Sequence, residues 1–312
     1  MIENEIISII DEVKETEVGN RLDQFLVKRH PEYSRSHIQK LIKSEQIQVN
    51  YSCKKANYLI RFDDIIELHI LKAKAVDIVP QNIPLDILYE DQDVLVVNKP
   101  KGMVVHPANG HMSDTLVNAI MYHCQDELSG INGEIRPGIV HRIDMDTTGS
   151  LIVCKNDKSH IYIANQIKEH SVKRVYVGIV KGVVKEDCGT INEPIGRDLK
   201  NRKKMAIHVQ GKSAITHYKV LERFDGYTYM QFELETGRTH QIRVHMASIH
   251  HPLVGDILYG SGKTNLSMKL QGQTLHAQKI GFIHPSTKEY IEVQAPLPDY
   301  FEKLLAILRN KG

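Results

Sequence analysis

Between residues 34 and 46, SRSHIQKLIKSEQ places Ile38, Leu41 and Ile42 at helical spacing, and Arg35, Lys40 and Lys43 fall largely off that stripe. The pattern predicts an amphipathic helix with a basic outer face, and Ser34 stands at its N-cap position. QIQVN and DIIELHI follow with the alternation of short strands, and the mixed stretch LKAKAVDIVPQNIP reads as a linker. From Ile87 onward, DVLVVNK, LIVCK, RVYVGIVKGVV, SAITHYKVLERF and YMQFELET read as strands, whereas SDTLVNAIMYHCQ, SHIYIANQIKEH and HQIRVHMASIH read as helices. So many strands on short connections predict an α+β fold, a mixed and largely antiparallel sheet flanked by helices rather than a doubly wound one. The division expected is an acidic leader over residues 1–18, a small α/β module over 19–78 and a larger domain over 79–312.

A chain of 312 residues, 41% hydrophobic and 25% charged, is long enough for two cores, and its apolar runs fall far short of a membrane span. A soluble protein with no membrane partner is expected. The opening MIENEIISIIDEVKETEVGN is acidic and lacks the basic start and cleavage site of a secretory signal. The four cysteines, Cys53, Cys124, Cys154 and Cys188, form no CxxC pair. Both features predict the cytoplasm. A net charge of +2 says little about partners, but its distribution says more. Residues 20–58 carry eight bases against three acids, directly after a leader with six acids and one base, so the positive charge is concentrated in the small module.

Neither GxGxxG nor GxxxxGK[ST] occurs, which argues against a dinucleotide or P-loop enzyme, and the absence of GxSxG leaves a serine nucleophile without support. His240, His245, His250 and His251 crowd one stretch. Five residues turn a helix by about 500°, which sets His240 and His245 well apart, and no HExxH is present, so no metal is expected. Carboxylates are the better candidates. HRIDMDTTGS (141–150) holds Asp144 and Asp146 two residues apart beside an apolar run. Spacing leaves two readings open, a general acid and base pair or an Asx turn leading into the strand.

Other segments change that balance. GRTHQIRVH (237–245) brings Arg238 and Arg243, KRVYVGIV (173–180) brings Tyr176 among aliphatics, and NKPKGMVVHP (98–107) is a strand end and turn with two lysines. A buried carboxylate needs a partner, and arginine is the one that stays charged at any relevant pH. Together these segments resemble the RluA/RluD family of RNA pseudouridine synthases over about residues 85–300, HRIDMDTTGSLIVCKN standing against the pattern HRLDxxTSGLLLxAK. In front of it, RLDQFL, SRSHIQKLI and IQVN resemble the S4 RNA-binding domain. Ile143, Thr148, Ser150 and Gly178 depart from the first pattern. Glu45 and Gln46 in place of a helix-ending glycine, and Tyr51 in place of the glycine after Asn50, depart from the second.

The resemblance implies that Asp144 is the catalytic aspartate, with Arg142 associated with displacing the target base and Tyr176 packing against the uracil. It makes Arg243 the partner of the aspartate, with Ile242 beside it, and Asp146 a loop residue only. It implies no cofactor and no metal, and as partner RNA, chiefly large-subunit (23S-type) ribosomal RNA or its precursor, modified by a monomer. The basic tract 196–212, with Arg197, Lys200, Arg202, Lys203, Lys204 and Lys212 against Asp198, becomes a phosphate-binding loop on such an enzyme. Two other readings stand beside this one. One is a non-catalytic RNA-binding factor for ribosome assembly. The other is a carboxylate glycosidase, disfavoured by the absence of tryptophan and the scarcity of phenylalanine.

Overall fold

The computed structural model describes residues 6–31, 33, 35–71, 78–108, 110–125, 128–129, 137–262 and 266–310, without the side chains of residues 6, 7, 36, 37, 70 and 71. Ser34 and residues 72–77 of the expected linker lie outside the described residues. The chain divides into two compact units, Met1–Ala75 and Val76–Gly312.

In the first unit, strands β1 (Ile6–Glu12), β2 (Ile47–Val49), β3 (Ser52–Cys53) and β4 (Ile65–Leu71) form an antiparallel sheet in the order β1-β4-β2-β3, joined by helices α1 (Leu22–Arg29) and α2 (Arg35–Lys43). Residues 6–12 of the stretch expected to be a leader are therefore an edge strand, paired with β4 from Ile6↔Leu71 to Glu12↔Ile65, and residues 1–5 lie outside the described residues. Its acids hid the apolar character of IISII. Ile38, Leu41 and Ile42 of α2 join Leu22, Phe25 and Leu26 of α1 in one buried core with Val49 and Leu68, while Arg35, Lys40 and Lys43 stay exposed. Asp23, itself fully buried, ties the helices together by accepting from Arg21, Arg35 and Gln39. These bonds outweigh burial and hold its carboxyl down at about 2.

The second unit takes in the end of the expected linker, since Ile78 belongs to its core and the Asn118 side chain donates to the Val79 carbonyl at 2.8 Å. Its first half runs through β5 (Ile87–Glu90), β6 (Val94–Lys99), α3 (Leu116–Cys124), β7 (Thr148–Cys154), α4 (Asp157–Lys168) and β8 (Lys173–Lys181). The second half adds β9 (Cys188–Asn192), β10 (Ile195–Arg197), β11 (Met205–Ile207), β12 (Ile215–Phe224) and β13 (Tyr227–Leu234). It closes with α5 (Gln241–Ser248), β14 (Leu275–Ile283), β15 (Tyr290–Gln294) and α6 (Asp299–Arg309). Nine strands make one sheet, β5-β6-β7-β14-β8-β13-β12-β9, with β15 also on β14; β10 and β11 form a separate hairpin. Among the described residues β7 with β14 is the one parallel pair. The sheet is mixed and largely antiparallel, as expected.

Its central strands are buried on both faces. In β6, Leu95 and Val97 enter the cluster that holds α3, and Val94 and Val96 the cluster that holds Ile163 of α4. Double burial explains why these strands read as unbroken apolar runs. Strands β9 and β15, the β10–β11 hairpin and the buried β14, whose LHAQKIGFI is broken by polar residues, were not anticipated, nor was the C-terminal helix α6, although Phe301, Leu304, Leu305 and Leu308 recur at helical spacing.

Candidate active site

The segment HRIDMDTTGS crosses from a turn into β7, and each of its polar residues has a separate employment. His141 accepts the Ile152 amide at 2.9 Å on Nε2, and burial together with the nearby Arg174 holds its imidazole down at about 3, a neutral structural acceptor. The Thr147 amide donates to the Asp144 carbonyl at 3.0 Å, closing the turn. Thr148 Oγ1 bonds His276 at 2.8 Å, and Ser150 donates to the Ala277 carbonyl at 3.0 Å. Both departures from the family pattern thus tie β7 to its parallel neighbour β14. Gly178 is a departure of another kind, since a Cβ there would lie 3.0 Å from Leu253 and 3.1 Å from Phe232.

Asp144 is brought against α5. Arg243 donates from Nη1 to its Oδ2 at 2.8 Å, across 99 residues of sequence. The rest of the guanidinium is taken by Asp256, a residue that sequence reasoning missed. Burial works against the charge of Arg243, but the bonds and charges of Asp256 and Asp144 prevail and raise its pKa above the ordinary arginine value. Tyr259 lies under the guanidinium, its ring centroid 5.1 Å from the central carbon. His240, in a left-handed conformation at the start of α5, sets Nε2 3.8 Å from Asp144 Oδ1. Neither Asp256 nor Tyr259 carries a local sequence signal, because both act through the loop that follows α5.

Tyr176 and Ile242 are 8% and 4% exposed and, with Ile143, Leu234 and Leu275, wall a narrow pocket of about 50 Å³ that holds Asp144 and Arg142. Burial and the Asp144 charge outweigh Arg174 and raise the Tyr176 phenol, which stays protonated. The pocket shares Asp144, Tyr176 and Arg142 with a groove of about 850 Å³ whose walls include Lys168, Arg174 and Arg238. Arg142, itself exposed, stands where the two meet. The five residues singled out in the sequence therefore line one pocket.

Asp146 is more than a surface loop residue. Its carboxylate lies against the α-carbon of Gly272, and Oδ1 is buried with no hydrogen-bond partner among the described residues. Burial raises its pKa, opposed by Lys101, Lys99 and Arg243. Lys99, fully buried, donates to the carbonyls of Pro100, Met103 and Met145 at 2.8, 2.8 and 3.0 Å, so it holds the peptide between the two aspartates. Asp144 lines the pocket and the groove and Asp146 lines neither, which argues against the acid and base pair. Of the crowded histidines, His245 bonds Thr216 and the Glu193 carbonyl, and His251 bonds the Lys181 carbonyl.

An ion-paired carboxylate opening onto a basic groove, carried on a mixed sheet, fits an enzyme that acts on a polyanion. Comparison with known proteins narrows the class. Residues 93–248 match the family model for RNA pseudouridylate synthase, and residues 20–66 match that for the S4 domain. A Bacillus subtilis protein called uncharacterized RNA pseudouridine synthase YlyB is 50% identical over 298 residues, covering 96% of this chain and 97% of its own. Ribosomal large subunit pseudouridine synthase D of Zymomonas mobilis is 42% identical over 300 residues, 93% of this chain and 94% of its own. Among solved structures, human RNA pseudouridylate synthase domain containing 1 superposes with a TM-score of 0.56 at 27% identity, over 73% of this chain and 96% of that one. The chain belongs to the RNA pseudouridine synthase family and carries an S4 domain ahead of the catalytic one.

Proposed function

We propose that this protein isomerises uridines of large-subunit ribosomal RNA to pseudouridine, in the cytoplasm, as a monomer and without a cofactor. The observation that carries the reading is the Asp144–Arg243 pair at 2.8 Å, opening into the pocket walled by Tyr176 and Ile242. Relatives named ribosomal large subunit pseudouridine synthase D, 40–42% identical over most of the chain, support the choice of RNA.

The isomerisation breaks the C1′–N1 bond, turns the uracil, forms C1′–C5 and moves the C5 proton to N1, so atoms balance with no redox step. It needs a carboxylate, a dry pocket and a hold on the loose base. Asp144 supplies the carboxylate, as nucleophile or proton acceptor, and Arg243 keeps Oδ2 occupied so that Oδ1 faces the substrate. The base leaves its stack at a cost of a few kcal/mol, offset by packing on Tyr176 and Ile242, with Arg142 at the pocket mouth filling the vacated space. Exposed Arg197, Lys200, Arg202 and Lys203 around the β10–β11 hairpin contact backbone phosphates.

The test is to incubate the protein with large-subunit ribosomal RNA, map pseudouridine chemically, and repeat with Asp144→Asn. New pseudouridine that vanishes in the variant is expected. RNA binding with no pseudouridine from the wild type would instead establish an assembly factor.

A further inference from the structure

The side chains around His240 fix its tautomer. Tyr259 Oη accepts from the Met205 amide at 2.8 Å and lies 2.7 Å from His240 Nδ1. The phenol, raised to about 12 by burial against the pull of Met205 and Arg243, keeps its one proton. If Nδ1 donated to Tyr259, that proton would be left without an acceptor among the described residues. With Nδ1 accepting it, the Met205 N–H, the Tyr259 hydroxyl and His240 Nδ1 form a chain in which each of these three groups has its partner. The hydrogen of His240 then sits on Nε2. Burial also lowers the His240 pKa, in spite of Asp144, so the ring is a neutral donor.

Nε2–H faces Asp144 Oδ1 across 3.8 Å, too far for a hydrogen bond. Arg243 already holds Oδ2, so a donor and an acceptor stand side by side at the pocket with room for one atom about 2.8 Å from each. A carbonyl oxygen has no proton to give Asp144, and an amide N–H cannot accept from His240. A hydroxyl does both. Inside an RNA strand O3′ and O5′ are esterified, which leaves the 2′-hydroxyl as the one free hydroxyl of a nucleotide.

We infer that His240 contacts the substrate, its Nε2–H and Asp144 Oδ1 together receiving the 2′-hydroxyl of the target uridine, and that Tyr259 is the positioning residue that sets the histidine's tautomer. The inference rests on the pseudouridine synthase reading and gives the site a chemical means of telling RNA from DNA at the target. It also links the basic hairpin to the carboxylate, since Met205 begins β11.

The experiment measures single-turnover pseudouridine formation on a large-subunit ribosomal RNA fragment containing the mapped target, once all-ribose and once with 2′-deoxyuridine at that position. His240 has φ 57°, a region that asparagine tolerates, so His240→Asn keeps the backbone while its amide stops short of the Nε2 position. His240→Gln carries an amide nitrogen to that position. The wild type is expected to slow about tenfold on the deoxy RNA. His240→Asn is expected to slow about tenfold on the ribose RNA, with unchanged RNA affinity and melting, and to distinguish the two RNAs several-fold less. His240→Gln recovers most of the rate. Tyr259→Phe shares the loss of discrimination, because its ring stays over Arg243 but the tautomer is released. Full rate or full discrimination in His240→Asn overturns the inference while the enzyme reading stands. A wild type that forms no pseudouridine overturns that reading and the inference with it.

Discussion

Asp256 grips one edge of the Arg243 guanidinium, Oδ2 accepting from Nε at 2.7 Å and Oδ1 from Nη2 at 3.1 Å, and so turns Nη1 toward Asp144. The same Oδ1 accepts the amides of Leu258 and Tyr259, which makes this fully buried carboxylate the anchor of both the arginine and the loop beneath it.

Removing either member of this pair is predicted to cost activity by different routes. Asp256→Asn leaves a buried guanidinium half-paired, a loss of about 3–5 kcal/mol in stability, visible as a lower urea midpoint together with slower turnover. Arg243→Lys keeps a charge but cannot hold two carboxylates at once, so kcat should fall about a hundredfold with RNA affinity unchanged. Wild-type turnover in Arg243→Lys would show that the fork is not needed.

Lys99 should give the protein a distinctive pH dependence. Burial, opposed by Asp146 and Asp144, pushes its ammonium down to about 7 from 10.5. Below pH 7 the lysine is charged in folded and unfolded chains alike, and the burial penalty is fully present. Between pH 7 and 10.5 the unfolded chain retains a proton that the folded one has given up, so this residue's contribution to stability rises with pH, by up to about 1.4 kcal/mol per unit. Lys99→Met removes that slope and strands the carbonyls that the ammonium serves below pH 7 and that the neutral amine serves only two at a time above it. Urea titrations of both proteins at pH 6.5, 8 and 9.5 should show the gap in favour of the wild type widening, and a constant gap would contradict the assignment.

How much of this was legible in the sequence follows from where each signal resides. Asp144, Arg142, Tyr176, Ile242 and Arg243 sit in short segments that resemble family motifs, and that resemblance pointed at them although they lie on a turn, a strand and a helix. Asp256 and Tyr259 were invisible because their importance arises from a loop folding back under α5, a tertiary fact with no local period. Lys99 was noticed as one of two turn lysines, but nothing in NKPKG reveals that its ammonium is turned inward onto three carbonyls. The β1 strand was hidden for the opposite reason, since an edge strand can leave Ile10 exposed and bury Asp11, so no clean alternation marks it and the acidic composition outweighed the apolar run.

The hairpin between β2 and β3 makes a stability prediction that sequence alone only hinted at. Its two turn residues, Asn50 and Tyr51, both adopt positive φ, 48° and 59°, in the two-residue loop between Val49↔Ser52. Such a turn favours Asn-Gly, and here tyrosine occupies the glycine position with its ring 78% exposed. Tyr51→Gly should stabilise the first unit by about 1 kcal/mol, since the left-handed strain is relieved and little packing is lost. Thermal melting should move upward, and a fall would mean that the ring makes contacts worth more than the strain.

The basic hairpin predicts how the protein holds RNA. Asp198 Oδ1 accepts the amides of Lys200 and Asn201 at 2.8 and 2.7 Å, and Arg197 Nη1 donates to the Arg202 carbonyl at 2.6 Å, so the β10–β11 connection is a built loop that presents its cations. The body of the hairpin packs Met205 and Ile207 with Val244 of α5 and Tyr259, which leaves Lys200, Arg202 and Lys203 exposed. If the six bases of this tract each neutralise a phosphate, affinity for ribosomal RNA should fall about a thousandfold between 50 and 200 mM salt. Replacing Lys200, Arg202 and Lys203 by glutamine should reduce the slope of log affinity against log salt by about 3 and weaken binding, while the rate at saturating RNA holds because the reacting groups are untouched. Filter binding over a salt series measures the slope, and an unchanged slope in the triple variant would place the RNA backbone elsewhere on the protein.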